Sequence, residues 1–87
     1  MKNLSTEFVK FDKVGHTFTG RIKGSDAEGH EFADEKGNIF RVERHANIDK
    51  GISKTGIGEV LHIVKTEKGF DVFELEPEEV LAWEKTV

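Results

Sequence analysis

The sequence predicts a mainly β domain, a small five-stranded barrel with one helical turn between the third and fourth strands and a short C-terminal helix. Apolar and polar residues alternate in five short segments, a pattern typical of half-buried strands. The 3.6-residue period of an amphipathic helix is weak in most of the chain. At 87 residues the chain has room for one domain, 1–87, with a barrel of about residues 8–76 and an acidic C-terminal segment 77–87.

The predicted strands cover residues 16–24, 29–34, 39–45, 59–65 and 70–76. Two of their connections carry hairpin signals. "ADEKGN" joins the second and third strands, and its Gly37 and Asn38 both tolerate a positive φ. "KTEKGF" joins the fourth and fifth strands, with Gly69 expected in the left-handed conformation.

The connection between the third and fourth strands, residues 46–58, is too long for a hairpin. Asn47 or Asp49 can cap a helical turn there. Ile48 and Ile52 give that turn an apolar side. The sequence therefore predicts a single short turn of helix in this connection.

A second helix is predicted near residues 77–84, after the last strand. Pro77 suits the first helical position, and Glu78 and Glu79 suit the positive end of the helix dipole. The apolar side of this helix consists of Val80, Leu81 and Trp83. Three strands, a longer connection with a helical turn, and two further strands follow the order of the OB-fold, a five-stranded, partly open barrel.

Gly20 interrupts the first predicted strand on its apolar side, between Phe18 and Ile22. Glycine inside a strand loses packing and chain entropy, so it usually marks a bulge, a bend or a close backbone approach. The first strand of such a barrel pairs with strands in both halves of the sheet, and a missing side chain lets it bend. We expect Gly20 to be this corner; the alternative is that it relieves crowding in any small sheet.

Two stretches of the chain also resemble a known family. "FVKFDKVGHTFTGRI" has an aromatic lead-in, a Val-Gly and a strand with a glycine two residues after its central apolar residue. "RVERHANIDKGISKTGIGEVLHIVKTEKGFDVFELEPEE" has a strand, a helical connection and then a Gly-acid-x-apolar-x-Ile motif at Gly58, Glu59, Leu61 and Ile63. Over about residues 8–79, the chain resembles small phage-type single-stranded-DNA-binding proteins with the OB-fold.

The resemblance implies a non-catalytic protein of phage origin that binds single-stranded DNA, or RNA, without sequence preference. The binding groove of an OB-fold is formed by its second and third strands with the first and fourth loops. In such a groove lysine and arginine track the phosphates, and exposed phenylalanines stack on bases at about 1–3 kcal/mol each. The candidate nucleic-acid-binding residues are Arg21, Lys23, Phe32, Arg41, Arg44, Lys65 and Phe70.

The candidate residues also have ordinary structural alternatives. Phe32 and Phe70 lie in segments whose alternation leaves their face open, so either ring can belong to the core. Arg21, Arg41 and Lys65 can lie on a solvated face instead of contacting phosphate. The remaining phenylalanines are expected in the core: Phe8, Phe11, Phe18, Phe40 and Phe73.

Charge is spread unevenly along the chain. Residues 1–65 carry 11 Lys/Arg and 10 Asp/Glu, a net +1, whereas residues 66–87 carry 2 and 7, a net −5, which gives −4 in total. The acidic end can compete with nucleic acid for a basic groove and recruit replication proteins or a host protein. Alternatively its apolar residues dock it on the barrel, with Trp83 over an open end or an edge strand, and we expect docking.

The same acidity supports a second function hypothesis: a protein-interaction module or inhibitor whose acidic surface mimics nucleic acid.

The chain contains no cysteine, which excludes disulfides and thiolate metal sites and favours a reducing compartment such as the cytoplasm. Its four histidines form no metal-binding pair, and "GISKTGIG" has the wrong order for a P-loop. We therefore expect no enzyme activity, cofactor or metal. No segment suits a signal peptide or a membrane span, and both a monomer and a homodimer fit the sequence.

Overall fold

The structure is a computed structural model that describes residues 7–85. Its elements in chain order are β1 (Glu7–Phe8), β2 (Thr17–Asp26), β3 (Gly29–Ala33), β4 (Ile39–Glu43), α1 (Ala46–Thr55), β5 (Val60–Lys65), β6 (Phe70–Glu74) and α2 (Pro77–Glu84). The mainly β class, the five antiparallel strands and the C-terminal helix are confirmed. Residues 1–6 and 86–87, which belong to the predicted domain and tail, lie outside the described residues. Within the described part, no helix has the length and apolar character needed to cross a membrane.

All six strands belong to one sheet, in the order β1-β4-β3-β2-β5-β6. The long strand β2 pairs with β5 through Thr17–Arg21 and with β3 through Arg21–Asp26. The two-residue β1, which the sequence pattern does not reveal, adds to β4 in parallel. This order has two ends, and no strand pairing joins them in residues 7–85. The sheet is therefore open, and the predicted five-stranded barrel is not confirmed.

Gly20 lies next to Arg21, the residue at which β2 changes its partner from β5 to β3. A Cβ atom on Gly20 would lie 2.8 Å from the Phe18 ring and 3.1 Å from the carbonyl oxygen of Ala33, so close packing requires glycine here. The pairing with β3 becomes irregular three residues later, where Lys23 has no residue opposite it. The bulge in β2 is therefore near Gly20 but not at it.

The core lies between the inner face of the sheet and α1. Its buried cluster combines side chains of β2 to β5 and α1: Ile22, Phe32, Val42, Ile48, Leu61 and Ile63. Phe11 and Phe18 pack against this cluster, as predicted. The prediction was wrong for Phe8 and Phe73, which are 41% and 53% exposed because both lie on edge strands of the sheet.

Helix α1 runs for ten residues, so the prediction of a single helical turn was wrong. His45 is its N-cap, with Nδ1 accepting a hydrogen bond from the Asn47 amide at 3.2 Å. Ile48 is fully buried, and a Cβ atom on Gly51 would lie only 2.7 Å from Cγ1 of Val72 on β6. Tertiary packing of this face stabilises a helix that Gly51 weakens on local propensity alone.

The two predicted hairpins, β3–β4 and β5–β6, are both present. Gly37 has a φ of +86°, and the Asp34 carboxylate accepts hydrogen bonds from the amides of Lys36 and Asn38. Gly69 has a φ of +151°, so it does not adopt the left-handed conformation that was predicted. Both backbone conformations still favour glycine over residues with a Cβ atom.

Candidate nucleic-acid interface

A groove of about 370 Å³ lies between β4, near one end of the sheet, and the start of β6 at the other end. We call it the seam groove. It is lined by residues 8–12, residues 42–45 and Phe70. Because it follows the opening between the two ends of the sheet, it would not exist if β4 and β6 were paired.

The N-terminal segment 8–12 forms one wall of the seam groove and bridges the two ends of the sheet. The Val9 amide donates a hydrogen bond to the Arg41 carbonyl oxygen at 2.8 Å, which extends the pairing of β1 with β4. Two residues later, the Phe11 ring packs edge-to-face on Phe70 of β6, with centroids 5.0 Å apart. The segment is therefore held by backbone bonding on one side and by aromatic packing on the other.

Phe70 is the aromatic residue at the centre of this site. Its ring also packs edge-to-face on His45, with centroids 4.8 Å apart, and Nζ of Lys65 lies 5.1 Å from the ring centroid. The Phe70 amide donates to Oδ1 of Asn47 at 3.2 Å, which ties the start of β6 to α1. Phe70 is half-buried, so an aromatic surface and a cation are held together at the edge of the groove.

Phe32 is not available for base stacking, and the prediction that it is a binding residue was wrong. Its side chain is fully buried, and its ring packs edge-to-face on Phe18 at 5.8 Å. In the strand register Phe32 is opposite Ile22 on one side and Phe40 on the other. This row of apolar side chains across three strands requires the Phe32 side chain to lie on the core face. The alternation within its own strand did not show which face it occupies.

Arg44 lines the seam groove and Arg41 lies beside Phe8 at its border, but both already have acidic partners. Nη2 of Arg41 contacts Oδ1 of Asp26 at 2.5 Å, and the Arg41 guanidinium lies 5.8 Å from the Phe8 ring centroid. Arg44 donates from Nε to the Asp26 carbonyl oxygen at 2.8 Å, and its Nη1 is 3.5 Å from Oδ2 of Asp49. The hydrogen bond from Arg41 is the main cause that lowers the pKa of Asp26, so the pairing favours the charged carboxylate.

Arg21 lies apart from the seam groove, beneath α2. Its Nη2 contacts Oε2 of Glu84 at 2.5 Å, its Nη1 donates to the Gly58 carbonyl oxygen at 3.2 Å, and its guanidinium lies 5.8 Å from the Trp83 ring centroid. The acidic end is therefore docked on the sheet, as expected. No described side chain of α2 is fully buried, so the docking is shallow.

The two lysines among the candidates differ in position. Lys65 lies beside Phe70 at the groove, whereas Lys23 is exposed at the bulge of β2 and does not line the groove. The structure thus brings four of the seven candidates to the seam groove or its border: Arg41, Arg44, Lys65 and Phe70. It leaves Arg21 and Lys23 elsewhere on the surface and Phe32 in the core.

Four further groove residues with aromatic or basic side chains were not predicted as binding residues: Phe8, Lys10, Phe11 and His45. The first three belong to the aromatic-rich "FVKF" segment, whose regular spacing was a usable signal. His45 could not be found in this way, because its place beside Phe70 depends on its role as the N-cap of α1.

A buried histidine joins the β2–β3 hairpin to α1. Oγ of Ser25 lies 2.6 Å from Nδ1 of His30, and Nε2 of His30 lies 2.5 Å from Oδ1 of Asp49. His30 is only 2% exposed. In serine hydrolases the serine contacts Nε2 and the aspartate contacts Nδ1, and the two nitrogens are exchanged here. We interpret the three residues as a structural link that fixes α1 against the hairpin.

Comparisons with known proteins identify no relative of this chain. No family model, curated protein or solved structure matches the chain. Within residues 7–85, no group of three histidine or carboxylate side chains is placed to hold a metal ion.

Proposed function

We propose that the protein binds single-stranded nucleic acid along the seam groove, without catalysis and without sequence preference. The observation that carries this proposal is the pairing of an aromatic ring with cations at one groove: Lys65 lies over the Phe70 ring, and Lys10 and Arg44 line the same groove as Phe70. Aromatic rings stack on any base, and cations follow the phosphates, so this combination favours binding that tolerates all sequences.

The strand arrangement supports the same proposal. We infer an OB-fold that is open between β4 and β6, because β2 pairs with both β3 and β5, as the first strand of that barrel does. The OB-fold binds oligonucleotides on its second and third strands and on the loops beside them. Here those strands are β3 and β4, and the seam groove lies between β4 and the first residue after the β5–β6 turn. The resemblance to phage-type single-stranded-DNA-binding proteins implies a groove on these strands, of which the seam groove includes the end of β4.

The charges around the groove set the expected strength of binding. Arg41 and Arg44 must exchange their carboxylate contacts for phosphate contacts, and the groove also contains Asp12 and Glu43. Stacking on Phe70 contributes about 1–3 kcal/mol per base, while each phosphate contact weakens as salt rises. We therefore expect weak, strongly salt-dependent binding.

The test is a titration of fluorescein-labelled oligo-dT, followed by anisotropy at about 50 and 200 mM salt. Lys65→Gln should weaken binding equally for different sequences and reduce the salt slope by about one unit. Lys54→Gln removes the same charge from the last turn of α1, away from the seam groove, and should change nothing. Unchanged oligo-dT anisotropy at low salt, or equal effects of the two variants, would contradict the proposal.

A protein partner is the second candidate function, and one observation favours it. Each of the three arginines in the chain contacts a carboxylate: Arg21 with Glu84, Arg41 with Asp26 and Arg44 with Asp49. Paired arginines give a surface with little excess positive charge, which suits an acidic interaction module or inhibitor. If oligo-dT does not bind, this candidate takes the place of the first.

A further inference from the structure

A second cavity, of about 510 Å³, lies between α2 and the outer face of the sheet. We call it the α2 slot. It is lined by Thr19, His62, Phe73, Glu74, Leu75, Glu79 and Trp83, and it shares none of these residues with the seam groove. A ligand of the α2 slot would therefore contact none of the residues that line the seam groove.

The floor of the α2 slot is a row of residues from three neighbouring strands. His62 is opposite Thr19 on one side and Phe73 on the other. Oγ1 of Thr19 lies 2.6 Å from Nδ1 of His62, which fixes the imidazole, and the His62 and Phe73 ring centroids are 6.3 Å apart. Phe73 is 53% exposed, so its apolar surface is open to a ligand.

The charged groups of the α2 slot are carboxylates. Glu74 and Glu79 line it, and among residues 7–85 no lysine or arginine does. Desolvation raises the pKa of the Glu74 carboxyl, and the neighbouring Glu59 and Glu76 raise it further. Crowded carboxylates beside an aromatic wall favour the approach of a cation, because a positive charge relieves their mutual repulsion.

One wall of the α2 slot already contacts a cation in the folded protein. The guanidinium of Arg21 lies 5.8 Å from the Trp83 ring centroid, the arrangement of a cation–π contact. Lysine and arginine combine an apolar stem with a charged head, so they need apolar surface and carboxylates close together. Phe73 and Leu75 supply the apolar surface, and Glu74 and Glu79 supply the carboxylates.

We propose that the α2 slot binds an arginine or lysine side chain from a basic segment of a protein partner. The stem of that side chain packs on Phe73 and Leu75, and its charged head faces Glu74 and Glu79. Carboxylates at the opening also attract such a segment from a distance, which speeds its association at low salt. This site needs no nucleic acid and stands whether or not the seam groove binds any.

The test uses a short synthetic peptide of alternating arginine and serine, and a control peptide with citrulline in place of every arginine. Citrulline keeps the stem and the planar head but loses the charge. Trp83 is the only tryptophan of the chain and lines the slot, so its emission reports binding there. We expect the arginine peptide to shift this emission and to bind about tenfold more tightly than the citrulline peptide.

Two variants and a matched control place the binding in the α2 slot. Glu79→Gln removes a charge but keeps a side-chain oxygen that can accept from the Glu76 amide, a bond that caps α2. We expect this variant, and Phe73→Leu, each to weaken the arginine peptide about three- to tenfold. Glu28→Gln, on the turn between β2 and β3, should have no effect. Equal binding of the two peptides, or equal losses in Glu79→Gln and Glu28→Gln, would overturn the proposal.

Discussion

The two helices of this protein are held in different ways. Helix α1 places the fully buried Ile48 in the core, approaches β6 at Gly51 and is joined to the β2–β3 hairpin through Asp49. Helix α2 has no fully buried side chain among those described, and its contacts with the sheet include one ion pair of Arg21 and one aromatic residue. Similar lengths of regular backbone can thus be an integral part of a fold or a shallow attachment to it.

The reason for this difference is the composition of each helix. The first has isoleucines four residues apart and small residues at the contact, so one face can enter the core. The second begins at Pro77 with two glutamates and has a local capping bond from the Glu76 amide to Glu79. Capping bonds and the favourable charge of the first turn stabilise its backbone. A few long side chains attach the helix to the sheet.

The strongest test of the comparison is the removal of one apolar side chain from each helix. Ile48→Ala should lower the free energy of unfolding by about 2–5 kcal/mol, because it leaves a cavity in the buried cluster. Leu81→Ala, at a residue 56% exposed, should change it by no more than about 0.5 kcal/mol. Urea denaturation followed by circular dichroism measures both. Equal losses in the two variants would show that α2 is as much a part of the core as α1.

A smaller effect is expected from the polar link of α1. Asp49→Asn should cost about 1 kcal/mol, a modest value because the Asp49 side chain is 38% exposed and partly screened by solvent. The bond with His30 lowers the pKa of Asp49 below its ordinary value of 3.8. The stability from this carboxylate is therefore present above about pH 4 and is lost as the pH falls through the lowered pKa.

Denaturation midpoints measured between about pH 6 and pH 2 test this link, with Asp71→Asn on β6 as the control for loss of one charge. The gap between the original protein and Asp49→Asn should close at the acid end of this range. A gap that keeps the same size at every pH would mean that the carboxylate charge of Asp49 does not stabilise the fold.

The smallest expected effect concerns the ion pair that attaches α2. Arg21→Gln, Glu84→Gln and the double variant form a cycle, from which we expect a coupling of about 0.2–1 kcal/mol. This coupling should fall at high salt, because both side chains are partly exposed. Urea titrations at two salt concentrations measure it. A coupling that is independent of salt would show that the pair is more deeply desolvated than its exposure indicates.

The features that could be predicted from the sequence are those determined by neighbouring residues. Period-two alternation locates the five antiparallel strands, the polar "ADEKGN" cluster locates a hairpin, and Pro77 locates the start of α2. Each of these signals acts within a few residues of the structure that it determines. This part of the fold therefore needs no knowledge of the tertiary structure.

The features that could not be predicted depend on residues far apart in the chain. Phe32 faces the core because it lies opposite Ile22 and Phe40 on the neighbouring strands. Helix α1 is longer than predicted because it packs against β6. The partner of Arg21 is 63 residues away, so its sequence neighbourhood gives no sign that it is paired. Of the candidate residues, Arg44 and Phe70 line the seam groove and Arg41 and Lys65 lie at its border, while the carboxylate partners of the two arginines were not predicted.

The shared strand β2 has a consequence for the order in which the chain folds. Its pairing with β3, and that of β3 with β4, join segments that are close in sequence and linked by tight turns. Its pairing with β5 joins distant segments, with Thr19 and His62 43 residues apart. Closing the larger loop costs more chain entropy and slows folding. We expect the β2–β4 meander to form first and to serve as the template on which the β5–β6 hairpin assembles.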